Sequence, residues 1–240
     1  MNNLSRRDFA FLSSGAVAGN MAVGGLAEAA AADNHDLDFS QSGLVTGKPK
    51  PLKHKSIPGF LSAEQIAPHH AAHYGGALRG YSAADAKLES SARSGDALDG
   101  PAFGALKRAV SSKGNSVVLH EVYFDGMAPK TTDPVADVRH AIERRFGSLD
   151  RWSADFTASA KGAAGWAMLV RHPVNGRLYN VVSDEHATGV LWMATPLIVI
   201  DTYEHAFYID YHNRKAAYVE KFLEHIDWNE ANVRFRSVSM

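Results

Sequence analysis

"GWAMLVRHPVNGRLYNVVSD", residues 165–184, is where the chain changes its period. Two short apolar runs flank "PVNG" (173–176), and an Asn-Gly step between such runs is a strong hairpin signal. Downstream, "TPLIVID" (195–201) is almost wholly apolar, the pattern of a strand buried on both faces. Upstream the pattern is helical. Ser62 with Gln65 three residues later has the form of a capping box, opening a helix over "SAEQIAPHHAAHYGGALRGY" (62–81) in which Pro68 belongs to the first turns or a kink. A second helical segment is read from Ala83 to Ala92, with "RSGDALDGP" (93–101) as a loop. From Ala102 to Phe124 the pattern is helical again, although Gly114 in its middle costs about 1 kcal/mol of propensity. Helices also follow over 133–147 and 148–162, with Asp133 and Ser148 as N-caps and Pro134 at the first helical position. Val219, Phe222, Leu223 and Ile226 give the spacing of a final amphipathic helix. This order predicts an α+β fold: an N-terminal helical hairpin domain (61–130), then a C-terminal domain (131–240) with a three-stranded antiparallel sheet packed among helices.

Composition narrows the chemistry. Twelve histidines and no cysteine in 240 residues permit imidazole and carboxylate metal sites, while ruling out thiolate sites, disulfides and cysteine nucleophiles. A net charge of -1 gives no reason to expect nucleic acid or an anionic membrane as partner.

The leader has its own signature. "SRRDF" (5–9) is a twin-arginine pair followed by an uncharged, Ala/Gly-rich stretch from Ala10 to Leu26 and the small-residue region "AEAAAAD" (27–33). The expectation is a Tat signal over 1–32, cut between Ala29 and Asp33, and a periplasmic or otherwise extracytoplasmic product. The stretch is short and weakly hydrophobic beside the roughly 20 strongly apolar residues of a membrane helix, so no membrane association is expected after cleavage. Residues 33–60, polar with several Pro and Lys, read as an extended arm.

"DTYEHAFYIDYHNR" (201–214) places Asp201 and His205 four apart at a strand-to-helix junction, hence on one helical face, where they could share a metal ion. The pair by itself reads more readily as an N-cap aspartate and a core histidine. His69 and His73 are also four apart on one helix face, and His120 sits inside the apolar run "SVVLHEVYF" (116–124), where an unpartnered imidazole is costly. Together these form a nitrogen-and-oxygen ligand set suited to iron, manganese or zinc. Individually buried, hydrogen-bonded histidines remain the alternative.

The segment "TPLIVIDTYEHAFYIDYHNRKAAYVEKFLEHIDWNEANVRF" (195–235) resembles the C-terminal signature of the iron/manganese superoxide dismutases, with core motif D-x-W/Y-E-H-A-Y/F-Y. "LSAEQIAPHHAAHY" (61–74), "VVLHEVYFDGM" (117–127) and "FGSLDRWSADFTASAKGAAGWAMLV" (146–170) are similar to that family in the same order, so the resemblance covers roughly residues 50–235. It implies His69, His120, Asp201 and His205 as ligands of one Fe or Mn ion, with a slight lean to iron or to a cambialistic enzyme. It implies that His73 and Tyr208 line the substrate funnel and help supply protons, and that His186 hydrogen-bonds the solvent on the metal, Ser116 being too short for that task. Glu204 would pair with the ligand histidine of a second subunit, giving a homodimer bridged through Glu204 and His205, or a tetramer. The implied reaction is the disproportionation of superoxide to oxygen and hydrogen peroxide by ping-pong redox cycling. The family's usual funnel tyrosine is replaced by Ala77, with Tyr74 and Tyr81 as neighbouring substitutes, and Phe124 and Tyr203 stand where tryptophans are common. That departure leaves open an exported, non-catalytic metal-binding protein on the same scaffold.

Overall fold

The expected hairpin forms. In a computed structural model describing residues 37–94 and 99–238, β1 (Trp166–Arg171) pairs antiparallel with β2 (Leu178–Ser183) in the register Trp166↔Ser183 to Arg171↔Leu178. Gly176 closes the turn at φ +63, where a Cβ is disfavoured. On its other edge β1 pairs antiparallel with β3 (Thr195–Asp201), giving the order β2-β1-β3 with a bulge between Leu169 and Val170. All six residues of the central strand are buried. One result decides where the chemistry sits: Trp166 is opposite both Ser183 and Asp201, so the start of β1 and the ends of β2 and β3 meet at one end of the sheet.

Helices cover the sheet. After a single turn, α1 (Gly43–Thr46), Ser62 caps α2 (Ala63–Pro68) by accepting from Gln65 N at 3.1 Å. The capping box is not reciprocal: the Ser62 N–H donates to Asp210 Oδ2 at 2.7 Å, and Gln65 turns away to another segment. Pro68 cannot donate a helical hydrogen bond, and directly after it the helix widens into a π-helical stretch, His69–Tyr74, whose closing bonds run from Gly75 N to His70 O and Ala72 O. The run then continues as α3 (Gly75–Ser94). The separate helix expected over 83–92 is therefore the distal part of one long helical run.

α4 (Gly100–Asp125) carries Gly114 in its interior, and it returns antiparallel to α3. Tyr74 meets Glu121, Gly80 faces Lys113, and the Tyr81 ring lies on Gly114, where a Cβ would stand 3.4 Å from it. α5 (Ala136–Phe146) begins two residues later than expected, with Val135 rather than Asp133 at the cap position and no side-chain cap. Ser148 does cap α6 (Leu149–Gly162), accepting from Arg151 N. α6 lies on β1 and β2, and α4 and α9 (Trp228–Ser237) lie on β3. Between β3 and α9 come α7 (Tyr208–Tyr211) and α8 (Lys215–Leu223). Val219 and Phe222 are buried as the periodicity requires, but α8 ends before Ile226 and the further helix α9 was not anticipated.

The arm is mostly extended and tied down by charge: Lys50 pairs with Asp125 at 2.6 Å, and Lys53 with Asp227 and Glu230 at 2.9 and 3.1 Å. The expectations for the leader fall on residues outside those described. Among the described residues no helix is long and apolar enough to cross a membrane.

Candidate metal centre

His69 opens the π-helical stretch, His120 lies near the end of α4, Asp201 ends β3, and His205 sits in a single 3-10 turn, Glu204–Ala206. Asp201 and His205 are thus brought together by a strand end and a tight turn, not by one helical face. The sequence places the four residues up to 136 positions apart, yet one ligand atom from each lies within 4.8 Å of the other three. His69, His120 and Asp201 are buried to 1%, 1% and 0% exposure, while the His205 side chain retains 22%.

Three imidazole nitrogens converge on one carboxylate oxygen. Nε2 of His69, His205 and His120 lie 3.1, 3.2 and 3.8 Å from Asp201 Oδ2. His120 decides what this cluster fits. Its Nδ1 lies 2.7 Å from the Ser116 carbonyl oxygen, a contact that only an N–H can make, so Nδ1 donates and Nε2 of the neutral ring holds a lone pair. That Nε2 is buried without any hydrogen-bond partner among the described residues. An unpartnered lone pair facing a buried carboxylate oxygen fits a cation between them.

The charge states agree. Burial lowers the His120 pKa to about 3 and also lowers that of His69, so both rings are neutral near pH 7. Burial alone would raise the Asp201 carboxyl, but hydrogen bonds from His205 and His69 outweigh it and hold it well below the usual carboxylate range. Two neutral imidazoles, a third ligand histidine and an ionised carboxylate suit iron, manganese or zinc.

The support around Asp201 is extensive. Its Oδ1 accepts from Tyr203 N at 3.0 Å, and its backbone carbonyl accepts from Tyr218, whose hydroxyl also meets that of Tyr123 at 3.0 Å. Neither tyrosine was singled out from the sequence, because a tyrosine in an amphipathic helix carries no signal of what its hydroxyl reaches.

His186 stands one ring away, beside Trp166 and Tyr203. The Trp166 indole N–H, a donor only, lies 2.8 Å from His186 Nδ1. Nδ1 therefore accepts, and the neutral ring carries its proton on Nε2. Burial lowers the His186 pKa, which favours that neutral form. The loop holding it is unusual: Glu185 and His186 adopt φ +55 and +63, sparsely populated for residues with a Cβ. Asn115 Nδ2 donates to His186 O at 2.8 Å, and Glu185 N donates to the Tyr203 hydroxyl at 3.1 Å. Nothing in the local sequence signals that reach of Asn115.

His73 is exposed and stacks on His205, with centroids 3.7 Å apart and planes within 10°. Partial burial, with the His205 and His69 imidazoles adding to it, lowers its pKa to about 4. Tyr208 is 49% exposed and touches His212, so within one chain its ring is not brought against His73. Glu204 is exposed, with no hydrogen bond or ion pair to its carboxylate among the described residues.

Ala77 is buried, and neither neighbouring tyrosine takes its place in a direct way. Tyr74 points its hydroxyl away, donating to Glu121 at 2.8 Å and accepting from Lys50 N, and burial raises its pKa far above the ordinary phenol value. Tyr81 rests on Gly114. His70 packs between Phe124 and Tyr74 and bonds Lys50 O, so it anchors the arm. His225 is buried, stacked on Phe60 with Nδ1 bonded to Ala128 O.

Sequence similarity to known proteins covers most of the chain. Residues 134–234 match the family model of the iron/manganese superoxide dismutases, C-terminal domain. A superoxide dismutase (Fe) of Cupriavidus metallidurans is 39% identical over 180 residues, covering 73% of this chain and 88% of that protein. A superoxide dismutase (Fe) of Aquifex aeolicus is 37% identical over 188 residues, 77% of this chain and 88% of that one. A superoxide dismutase (Mn) 2 of Haloferax volcanii is 33% identical over 188 residues, 78% and 93% respectively. Similarity of this depth runs through both the helical half and the sheet, and the chain belongs to the iron/manganese superoxide dismutase family.

Proposed function

We propose that the protein disproportionates superoxide to oxygen and hydrogen peroxide at one iron or manganese ion held by His69, His120, Asp201 and His205. The observation that carries this reading is the partnerless His120 Nε2 facing the Asp201 carboxylate. Residues 61–130 supply two of the ligands and residues 131–240 the other two. The ion, when bound, supplies a one-electron couple poised between oxidation and reduction of superoxide. The chain's own groups set the conditions. Asp201 contributes a fixed negative charge, His120 offers a lone pair on a ring whose tautomer is locked, and His186 carries on Nε2 a proton that it can donate. His73, exposed and stacked on His205, and the exposed Tyr208 would pass the two protons that peroxide formation consumes. Purified protein should contain iron or manganese and scavenge superoxide. Metal-loaded protein without scavenging activity would instead favour a binding role alone.

A homodimer is part of this proposal. Glu204, His73, Tyr208 and Ile209 leave a carboxylate, an imidazole and two large apolar side chains exposed. Glu204 pairing with the second subunit's ligand histidine would occupy the bare carboxylate. Glu204→Ala should weaken the dimer by roughly tenfold or more in sedimentation; an unchanged dimer would count against the bridge.

The Arg6-Arg7 pair and the apolar stretch after it support Tat export to the periplasm or an equivalent compartment. R6K/R7K should leave the protein in the cytoplasm on fractionation, and undiminished export would refute the assignment.

A further inference from the structure

Gln65 is 1% exposed and uses both ends of its amide on one distant segment. Nε2 donates to His205 O at 2.7 Å, and Oε1 accepts from Ile209 N at 2.9 Å. These partners lie 140 and 144 residues away in sequence. They flank the turn that carries His205 and the exposed Tyr208. Because a carbonyl only accepts and a main-chain N–H only donates, a single orientation of a neutral amide satisfies both. Neither a carboxylate nor an apolar side chain of the same length can do so.

The clamp is reinforced on each side. Ser62 N donates to Asp210 Oδ2 at 2.7 Å, and the Tyr211 hydroxyl donates to Phe60 O at 3.0 Å. The clamp is also short: Gln65 stands four residues before His69, on the helix that widens immediately after Pro68. The segment bearing His69 and the turn bearing His205 are therefore joined by protein hydrogen bonds independent of any ion.

We infer that Gln65 is a positioning residue that holds the His205 turn against the His69 helix, so that the ligand set is assembled before metal enters. This rests on the ligand reading given above. A turn of three residues has few internal bonds to fix its own orientation, and one buried side chain here holds its His205 carbonyl and the Ile209 N–H that follows it. Loss of the amide would leave the His205 O and Ile209 N groups without partners and free the imidazole to reorient.

The test is an affinity measurement on the apo-protein, titrated with Mn2+ against a competing chelator. Gln65→Met keeps the length and removes both hydrogen bonds, and it should weaken Mn2+ binding by about 10–100-fold. It should also change the rhombicity of the Fe3+ EPR signal after iron loading. Trp152→Phe serves as the control: it breaks the part-buried hydrogen bond from Trp152 in α6 to Asn180 in β2, so it should lower stability while leaving affinity and spectrum unchanged. If Gln65→Met fails to fold, Gln65→Glu removes the donor to His205 O while keeping an acceptor for Ile209 N, and it should weaken binding in the same direction. Affinity within about twofold of the parent and an unchanged EPR signal would overturn the inference. Absence of binding by the parent protein would overturn the ligand reading itself.

Discussion

Asp201→Ala is expected to yield a folded protein with neither iron nor manganese and no superoxide-scavenging activity. Asp201 Oδ2 is the common neighbour of all three imidazole nitrogens, and its carboxylate is the ionised member of the set. Its removal deletes a ligand and most of the negative charge that a buried cation needs. The fold should survive, because the Tyr218 hydroxyl bonds the Asp201 main-chain carbonyl, which alanine keeps. Tyr203 N does lose its acceptor, a cost of about 1–3 kcal/mol. His120→Ala should likewise abolish metal content, since it removes the lone pair that has no other partner. Metal analysis of the purified variants is the measurement, and full occupancy in either would sink the ligand assignment.

Gly189→Ala is expected to be among the most damaging single changes outside the ligands. Gly189 adopts φ +77, where a Cβ is disfavoured, and an added Cβ would stand 2.1 Å from the Val182 carbonyl oxygen of β2. Neither the strand nor the loop can yield easily: β2 is paired to β1, and the Thr188 hydroxyl bonds Asp184 O. The expected loss is about 2–4 kcal/mol, or roughly 5–15 °C in Tm. The loop that would shift holds His186, so activity should fall further than metal content. A melting temperature within about 2 °C of the parent would refute the argument.

Where local chemistry acts alone, the sequence was legible. The Asn-Gly hairpin, the apolar third strand and the caps at Ser62 and Ser148 depend on neighbours a few residues away, and they form as read. The failures have physical causes. The helix read over 62–81 does not stop before residue 83, because α3 runs unbroken from Gly75 to Ser94, so two expected helices are one. Asp133 was a good cap by type, but the chain stays extended through Val135. The residues of the His/Asp cluster were legible as types because buried imidazoles and carboxylates are costly without partners. The means of their convergence was not. Gln65, Asn115 and Tyr218 reach across 17 to 144 residues to fix the site, and no periodicity announces such reach.

The bond from His120 Nδ1 to the Ser116 carbonyl has a consequence for how the centre tolerates change. The acceptor is a main-chain oxygen one helical turn back, present whatever side chain occupies position 116. The protonation pattern of that ring is thus inherited from helix geometry and not from the identity of a neighbour. Substitutions at 116 that preserve the helix would leave the ring's free nitrogen aimed and unprotonated, so this part of the centre is insulated from sequence drift in a way that the His186 side, dependent on the Trp166 indole, is not.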